Sequence, residues 1–365
     1  NTDGTCTANI TNNLSNRNLI INGAMQVAQR GTSSTTSGYA TVDRFRFLHG
    51  TVDESPTQEQ ADVVAGTTPY TNGFRKSYKI TNGNQTSGAQ ASSVVRLQIK
   101  IEAQDIANSG WNYLSSSSYI TFSFWIKSSV AQTFYGLIRS DDGTSQAYQF
   151  ETGSLTADTW TKVTKTISGN SNLTFNNDVG LGFDIQIMAF MGTATTGSVT
   201  LNQWAAYNAS ARVPNNTTTW YTTNDATLEF TGVQLEVGSV ATDFEHRSFA
   251  QELALCQRYF QLRGGSNGSY DAMAVGAVWS STLAFIPYSL PVTMRAEPSF
   301  TLLGALSDFR YTRSGSEETP DGLTLDQVGK NMLAIRLTDS SMTANDAARL
   351  YNVNTSGGFQ FSAEL

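Results

Sequence analysis

The stretch 119-YITFSFWIK-127 decides the fold. Alternation puts Ile120, Phe122, Phe124 and Ile126 on one side and leaves Ser123, Trp125 and Lys127 on the other, the period of two expected of a β-strand with one buried face. A helix would scatter those four apolar side chains around its axis. The same alternation recurs outward in both directions. In 95-VRLQIKIE-102 it separates Leu97, Ile99 and Ile101 from Arg96, Gln98, Lys100 and Glu102, and in 183-FDIQIMAFM-191 it separates Phe183, Ile185 and Ile187 from Asp184 and Gln186. With 159-TWTKVTKTI-167 and 226-ATLEFTGVQLE-236, at least seven candidate strands precede residue 240. Gly, Asn and Asp fall between them. Such a series predicts an all-β chain, a β-sandwich or jelly roll.

After Gln261 the pattern restarts in 271-DAMAVGAVW-279, 281-STLAFIPYSL-290, 331-NMLAIRLTD-339 and 358-GFQFSAEL-365, the last placing Phe359, Phe361 and Ala363 on one face. A second, smaller sandwich is expected. Between the halves, Phe249, Leu253, Cys256 and Phe260 recur at helical spacing, and Ser248 with Gln251 matches a capping box. The organisation read from this is a polar linker or arm over 1–18, a large sandwich over 19–247, a linking helix over 248–261 and a small sandwich over 262–365. Residues 1–18 hold almost no apolar side chains and cannot bury a face. The opening Asn1 points to a preceding part outside this sequence, and a strand pattern running to Leu365 to a complete C-terminus.

Composition narrows the function. Charged residues make up 15% of the chain and aromatics 11%, a balance that suits strands better than helical bundles. A net charge of −7 without a basic block argues against nucleic acid and anionic membrane surfaces. No apolar run approaches the roughly 20 residues of a membrane-spanning helix. Cys6 and Cys256 are far apart and point to free thiols, neither a disulfide framework nor a zinc site.

Catalytic signals are thin. The run 264-GGSNG-268 has the G-x-S-x-G form, but no histidine follows His246 to complete a hydrolase triad. His246, between Glu245 and Arg247, reads as a polar corner between a last strand and a helix, and His49 as a loop residue after 43-DRFRFL-48. Asp141 and Asp142 in 140-SDDGTS-145 read as a turn, with a calcium ion or a carboxylate pair as the other uses of such a dipeptide. No catalytic residue and no cofactor is expected, a structural calcium aside.

The aromatic residues are more informative. A flat pyranose face stacks on Trp or Tyr while Asn, Gln and Asp bond its hydroxyls, which suits a neutral, lightly charged surface. Candidate glycan contacts are Trp125, outward from its strand, Gln186 on another strand, and Trp111, Trp204, Trp220 and Tyr221 in or near expected loops. The competing reading is that each closes a core or a subunit interface.

Taken in order, 18-NLIINGAMQVAQRGTS-33, 42-VDRF-45, 119-YITFSFWIKSS-129, 158-DTWTKVTKTI-167, 230-FTGVQLEVGSVATDFEHRSFAQELALCQRYFQ-261, 290-LPVTMRAEPSF-300 and the terminal 361-FSAEL-365 resemble the C-terminal regions of tail-fibre and related virion proteins of tailed bacteriophages, closest to those of marine and cyanobacterial phages. The resemblance covers residues 18 to 365. It implies a jelly roll similar to carbohydrate-binding modules, a homotrimer projecting from the particle, and attachment to other virion proteins through a preceding N-terminal part. It also implies recognition of host glycan or lipopolysaccharide without a reaction. The alternatives are a structural or decorating virion component without receptor contact, and a polysaccharide depolymerase. The short coil repeats of the β-helical depolymerases are absent from the sequence.

Overall fold

A computed structural model describes residues 16–264, 272–313 and 316–365. Cys6, most of the 1–18 arm and most of the 264–268 glycine run therefore lie outside the described residues. The chain is all-β with short helices. The contacts of the described residues form two compact units: residues 16–25, 35–38 and 47–247, and residues 26–34, 39–46 and 248–365 where described. The helix Phe249–Gln257 belongs to the second.

In the first unit, one antiparallel sheet runs in the order Thr57–Asp62, Lys76–Thr81, Thr227–Val237, Tyr119–Ser128, Thr161–Ser168. The other runs Trp204–Ala206, Gln146–Ser154, Thr133–Ser140, Leu181–Met191, Val94–Glu102 and ends on Phe45–Gly50. The alternation explains the packing. Ile120, Phe122, Phe124 and Ile126 are buried, and Phe122 and Phe124 meet Phe150 of the other sheet at centroid distances of 5.8 and 6.4 Å. Phe183, Ile185 and Ile187 stand opposite Ile101, Ile99 and Leu97 and complete the same core. Each such side chain contributes roughly 1.5–3 kcal/mol by leaving water. His49 lies within the Phe45–Gly50 strand rather than in a loop, its Nε2 3.0 Å from the Thr35 carbonyl oxygen.

The second unit holds a seven-stranded antiparallel sheet, Ser316–Glu318, Phe309–Arg313, Ala347–Asn352, Ala272–Ser280, Leu283–Ser289, Met332–Thr338, Gly322–Asp326, and a three-stranded one, Phe260–Gly264, Gly358–Ser362, Ser299–Leu303. Phe359, Phe361 and Ala363 enter its core together with Phe309, Ile335 and Leu350. The helix has the capping box: Ser248 Oγ accepts from the Gln251 amide, and the Ser248 amide donates to the Gln251 side chain. Its buried positions are Glu252 and Cys256. Phe249 is 56% exposed and Phe260 belongs to the following strand, so the expected four-residue apolar stripe reduces to Cys256 with a partly buried Leu253.

Candidate functional site

The outward face of the Tyr119–Ser128 strand is set by its two neighbours. Thr231 and Lys162 stand opposite Trp125, and Gln234 and Thr164 opposite Ser123. The register breaks between Thr231 and Gln234, where Gly232 takes φ +61°. This irregularity makes room: a Cβ on Gly232 would lie 2.6 Å from Cζ of Phe74. Phe74 meets Phe244 edge-on at 4.9 Å and His246 at 5.1 Å, and Phe244 and His246 are 4.9 Å apart. His246 Nε2 lies 2.9 Å from the Asn72 carbonyl oxygen. A carbonyl only accepts, so Nε2 carries the hydrogen, and in the neutral ring Nδ1 is left as an acceptor.

These side chains enclose a groove of about 430 Å³, walled by Phe74, Trp125, Phe244 and His246 and floored or rimmed by Ser123, Lys162, Gln234, Thr242 and Asp243. Its volume falls in the range of small-ligand sites. The segment carrying Phe244 and His246 is tied down on both sides of them. Thr242 donates its amide to Glu236 at 2.8 Å, the Glu245 amide donates to Gln234 Oε1 at 2.9 Å, and Glu245 accepts from the Asn18 amide at 2.8 Å and from Arg247 at 3.1 Å. Glu245 and Arg247 are thus committed to each other and to Asn18, and the stretch around His246 is a polar corner.

Trp125 differs from Trp204 and Trp220 in what its ring nitrogen does, while the Nε1 of the buried Trp111 is likewise without a hydrogen-bond partner. It packs beside Ala24, Val63 and Phe74 while remaining partly exposed, and its Nε1 makes no hydrogen bond among the described residues. Trp204 donates to the Ser168 carbonyl at 2.8 Å and stacks on Phe183 at 6.2 Å. Trp220 is fully buried and donates to the Thr227 carbonyl at 3.0 Å. Tyr221 stacks on Phe190 at 4.3 Å, its hydroxyl 3.1 Å from both the Thr51 carbonyl oxygen and Ser93 Oγ. Trp111 is buried against Phe175 and Phe183. Trp111, Trp220 and Tyr221 thus close the core, and the partly exposed Trp204 packs against Phe183 and Tyr148.

Gln186 lies on the other sheet, outside the groove. It is buried, donates to Asp184 at 2.6 Å and accepts from Arg96 at 2.7 Å, while Gln98 donates to the second Asp184 oxygen at 2.7 Å. That ladder satisfies polar groups under long side chains. Asp142 accepts from the Asn176 amide and side chain, both at 2.8 Å, and Asp141 from Arg139 at 2.5 Å. Among the described residues no group of three or more His, Cys, Asp or Glu is placed to hold a metal ion.

Of the candidates only Trp125 is brought into the groove. Phe74, Phe244, Lys162, Thr242 and Asp243 escaped the sequence reading. Two glycines carried the missing signal: Gly232 interrupts a strand pattern, and Gly73, at φ +93°, precedes Phe74 with its Cβ position 3.0 Å from His246 Nε2.

No protein-family model matches the chain, and no curated protein sequence matches it closely. Among solved structures, the chain is similar to the enzymatically active domain of tailspike protein 4 of bacteriophage CBA120, with 10% identity over 60% of this chain and a TM-score of 0.31. That match spans 21% of the tailspike domain, about a fifth of its length. A putative sugar binding protein from Bacteroides thetaiotaomicron gives 12% identity over 61% of this chain and 100% of its own, TM-score 0.31. The N-terminal cellulose-binding domain of a β-1,4-glucanase from Cellulomonas fimi gives 9% identity over 59% and 100%, TM-score 0.29.

Proposed function

We propose that the first unit is a glycan-binding β-sandwich and that the chain serves as a phage virion fibre or appendage protein, recognising host surface glycan or lipopolysaccharide without catalysing a reaction. One observation carries the binding reading: in a groove of about 430 Å³, a partly exposed Trp125 presents a ring face and an unbonded N–H beside the polar side chains of Lys162, Thr242 and Asp243. A pyranose needs that combination, an apolar face to stack on and donors and acceptors for its hydroxyls. The non-enzymatic reading is supported by the lining, in which Asp243 is the sole carboxylate among the described residues. Glycoside hydrolysis ordinarily takes two.

The virion role, the homotrimer and attachment through a preceding N-terminal part rest on the sequence resemblance and belong to the same proposal. No cofactor is part of it. The test is binding of the purified chain and of Trp125→Ala to a glycan array and to host envelope fractions. Binding that Trp125→Ala abolishes is expected. No binding, or binding that the substitution leaves untouched, overturns the proposal.

A further inference from the structure

Trp125 and Lys162 face each other across adjacent antiparallel strands, which puts their Cβ atoms about 4.5–5.5 Å apart on one face of the sheet. Both line the groove. The other lysines on this face are paired: Lys127 with Glu229 at 2.8 Å and Lys79 with Glu59 at 3.5 Å. Lys162 is exposed and has no ion pair among the described residues. Its ammonium is not spent on the indole either. The lysine–tryptophan ring contact of this sheet is Lys127 over Trp160, at 5.2 Å.

Resting on the glycan reading of this groove, we infer that its ligand is an acidic saccharide, whose sugar ring stacks on Trp125 while a carboxylate or sulfate on that ring meets Lys162. From a neighbouring position in the same register, the long Lys162 side chain can reach an exocyclic acid on a ring stacked against Trp125. Asp243 fits the same arrangement. Its backbone oxygen lies 3.5 Å from Gln234 Nε2, and Gln234 is on the strand that flanks Tyr119–Ser128 on the side away from Lys162. The groove is thus lined by a cation, Lys162, and by a carboxylate-bearing residue, Asp243, on the other side of the Tyr119–Ser128 strand. The net charge of −7 opposes a polyanion at long range. The preference must come from this one local contact, and a single substitution should remove it.

The experiment compares matched probes that differ in charge alone: oligogalacturonate against its methyl ester, and dextran sulfate against dextran, each titrated into wild type, Lys162→Gln and Trp125→Ala. The wild type should bind at least one acidic probe tenfold or more tighter than its neutral counterpart, and which pair responds separates carboxylate from sulfate. Lys162→Gln should level the two with the thermal midpoint unchanged, because the side chain is exposed. Trp125→Ala should weaken both. Equal affinity for acidic and neutral probes, or a preference that survives Lys162→Gln, overturns the inference and leaves the glycan-binding reading standing. Failure of all four probes together with a blank glycan array removes both.

Discussion

A Cβ added to Gly232 would stand 2.6 Å from Cζ of Phe74. The glycine is what allows an aromatic ring to seat against the strand break, and that ring in turn supports Phe244 and His246. Gly232→Ala combines a left-handed backbone conformation with this clash. It should cost roughly 1–3 kcal/mol in chemical denaturation and displace the aromatic wall, so that ligand affinity falls along with stability. An alanine variant as stable as wild type would show that Phe74 has another seat.

Trp125 and Trp220 separate binding from folding. Trp220 is fully buried with its N–H bonded inside the sandwich, so Trp220→Ala should lose about 3–5 kcal/mol of stability. Trp125 is partly exposed at the groove. Trp125→Ala should cost clearly less stability and reduce glycan affinity tenfold or more, about 1.4 kcal/mol. Denaturation and titration on the same two variants check this, and the opposite ranking in stability would contradict it.

The contrast between these two tryptophans marks what the sequence can convey. Alternation reports which side of a strand a residue occupies, and it placed Trp125 outward and Phe122 and Phe124 inward, as found. It does not report which sheet a strand joins, and so could not tell that Gln186 lies on a different sheet from Trp125. Nor does periodicity cover chain ends and corners. Phe74 and Phe244 come from short irregular segments about 170 residues apart, brought together by the register of the Lys76–Thr81, Thr227–Val237 and Tyr119–Ser128 strands. Trp111, Trp204, Trp220 and Tyr221 looked like loop aromatics for the same reason, since a ring closing the end of a sandwich has the same sequence surroundings as one offered to a ligand.

Cys256 should be inert in the folded chain. Its side chain is fully buried on the helix, and burial pushes its thiol well above the ordinary value, with Asp43 and Glu252 adding to the rise. The thiolate is the reactive form. In a Cys6→Ser background, a thiol reagent should modify Cys256 at neutral pH only after denaturant is added. Rapid modification of the native protein would show that this part of the second unit opens readily.

Asp43 gives the second unit a pH dependence of defined sign. Burial raises its pKa from 3.8 to about 6, against the opposing pull of Arg30 and of hydrogen bonds from the Gln29 amide at 3.1 Å and side chain at 2.5 Å. A carboxyl whose folded pKa is raised binds its proton more tightly when folded than when unfolded. Its stabilising contribution is complete below about pH 4 and is lost as pH rises through about 6. Across that window the loss amounts to roughly 3 kcal/mol. Other carboxylates titrate in the same range, so the measurement is a difference. Asp43→Asn keeps the shape and removes the proton equilibrium, and unfolding free energies of the two proteins are compared from pH 4 to pH 7.5. The wild type should lose stability relative to Asp43→Asn as pH rises to about 6, then run parallel to it. A difference that stays flat over the whole range would mean that Arg30 and Gln29 offset the burial of the carboxylate.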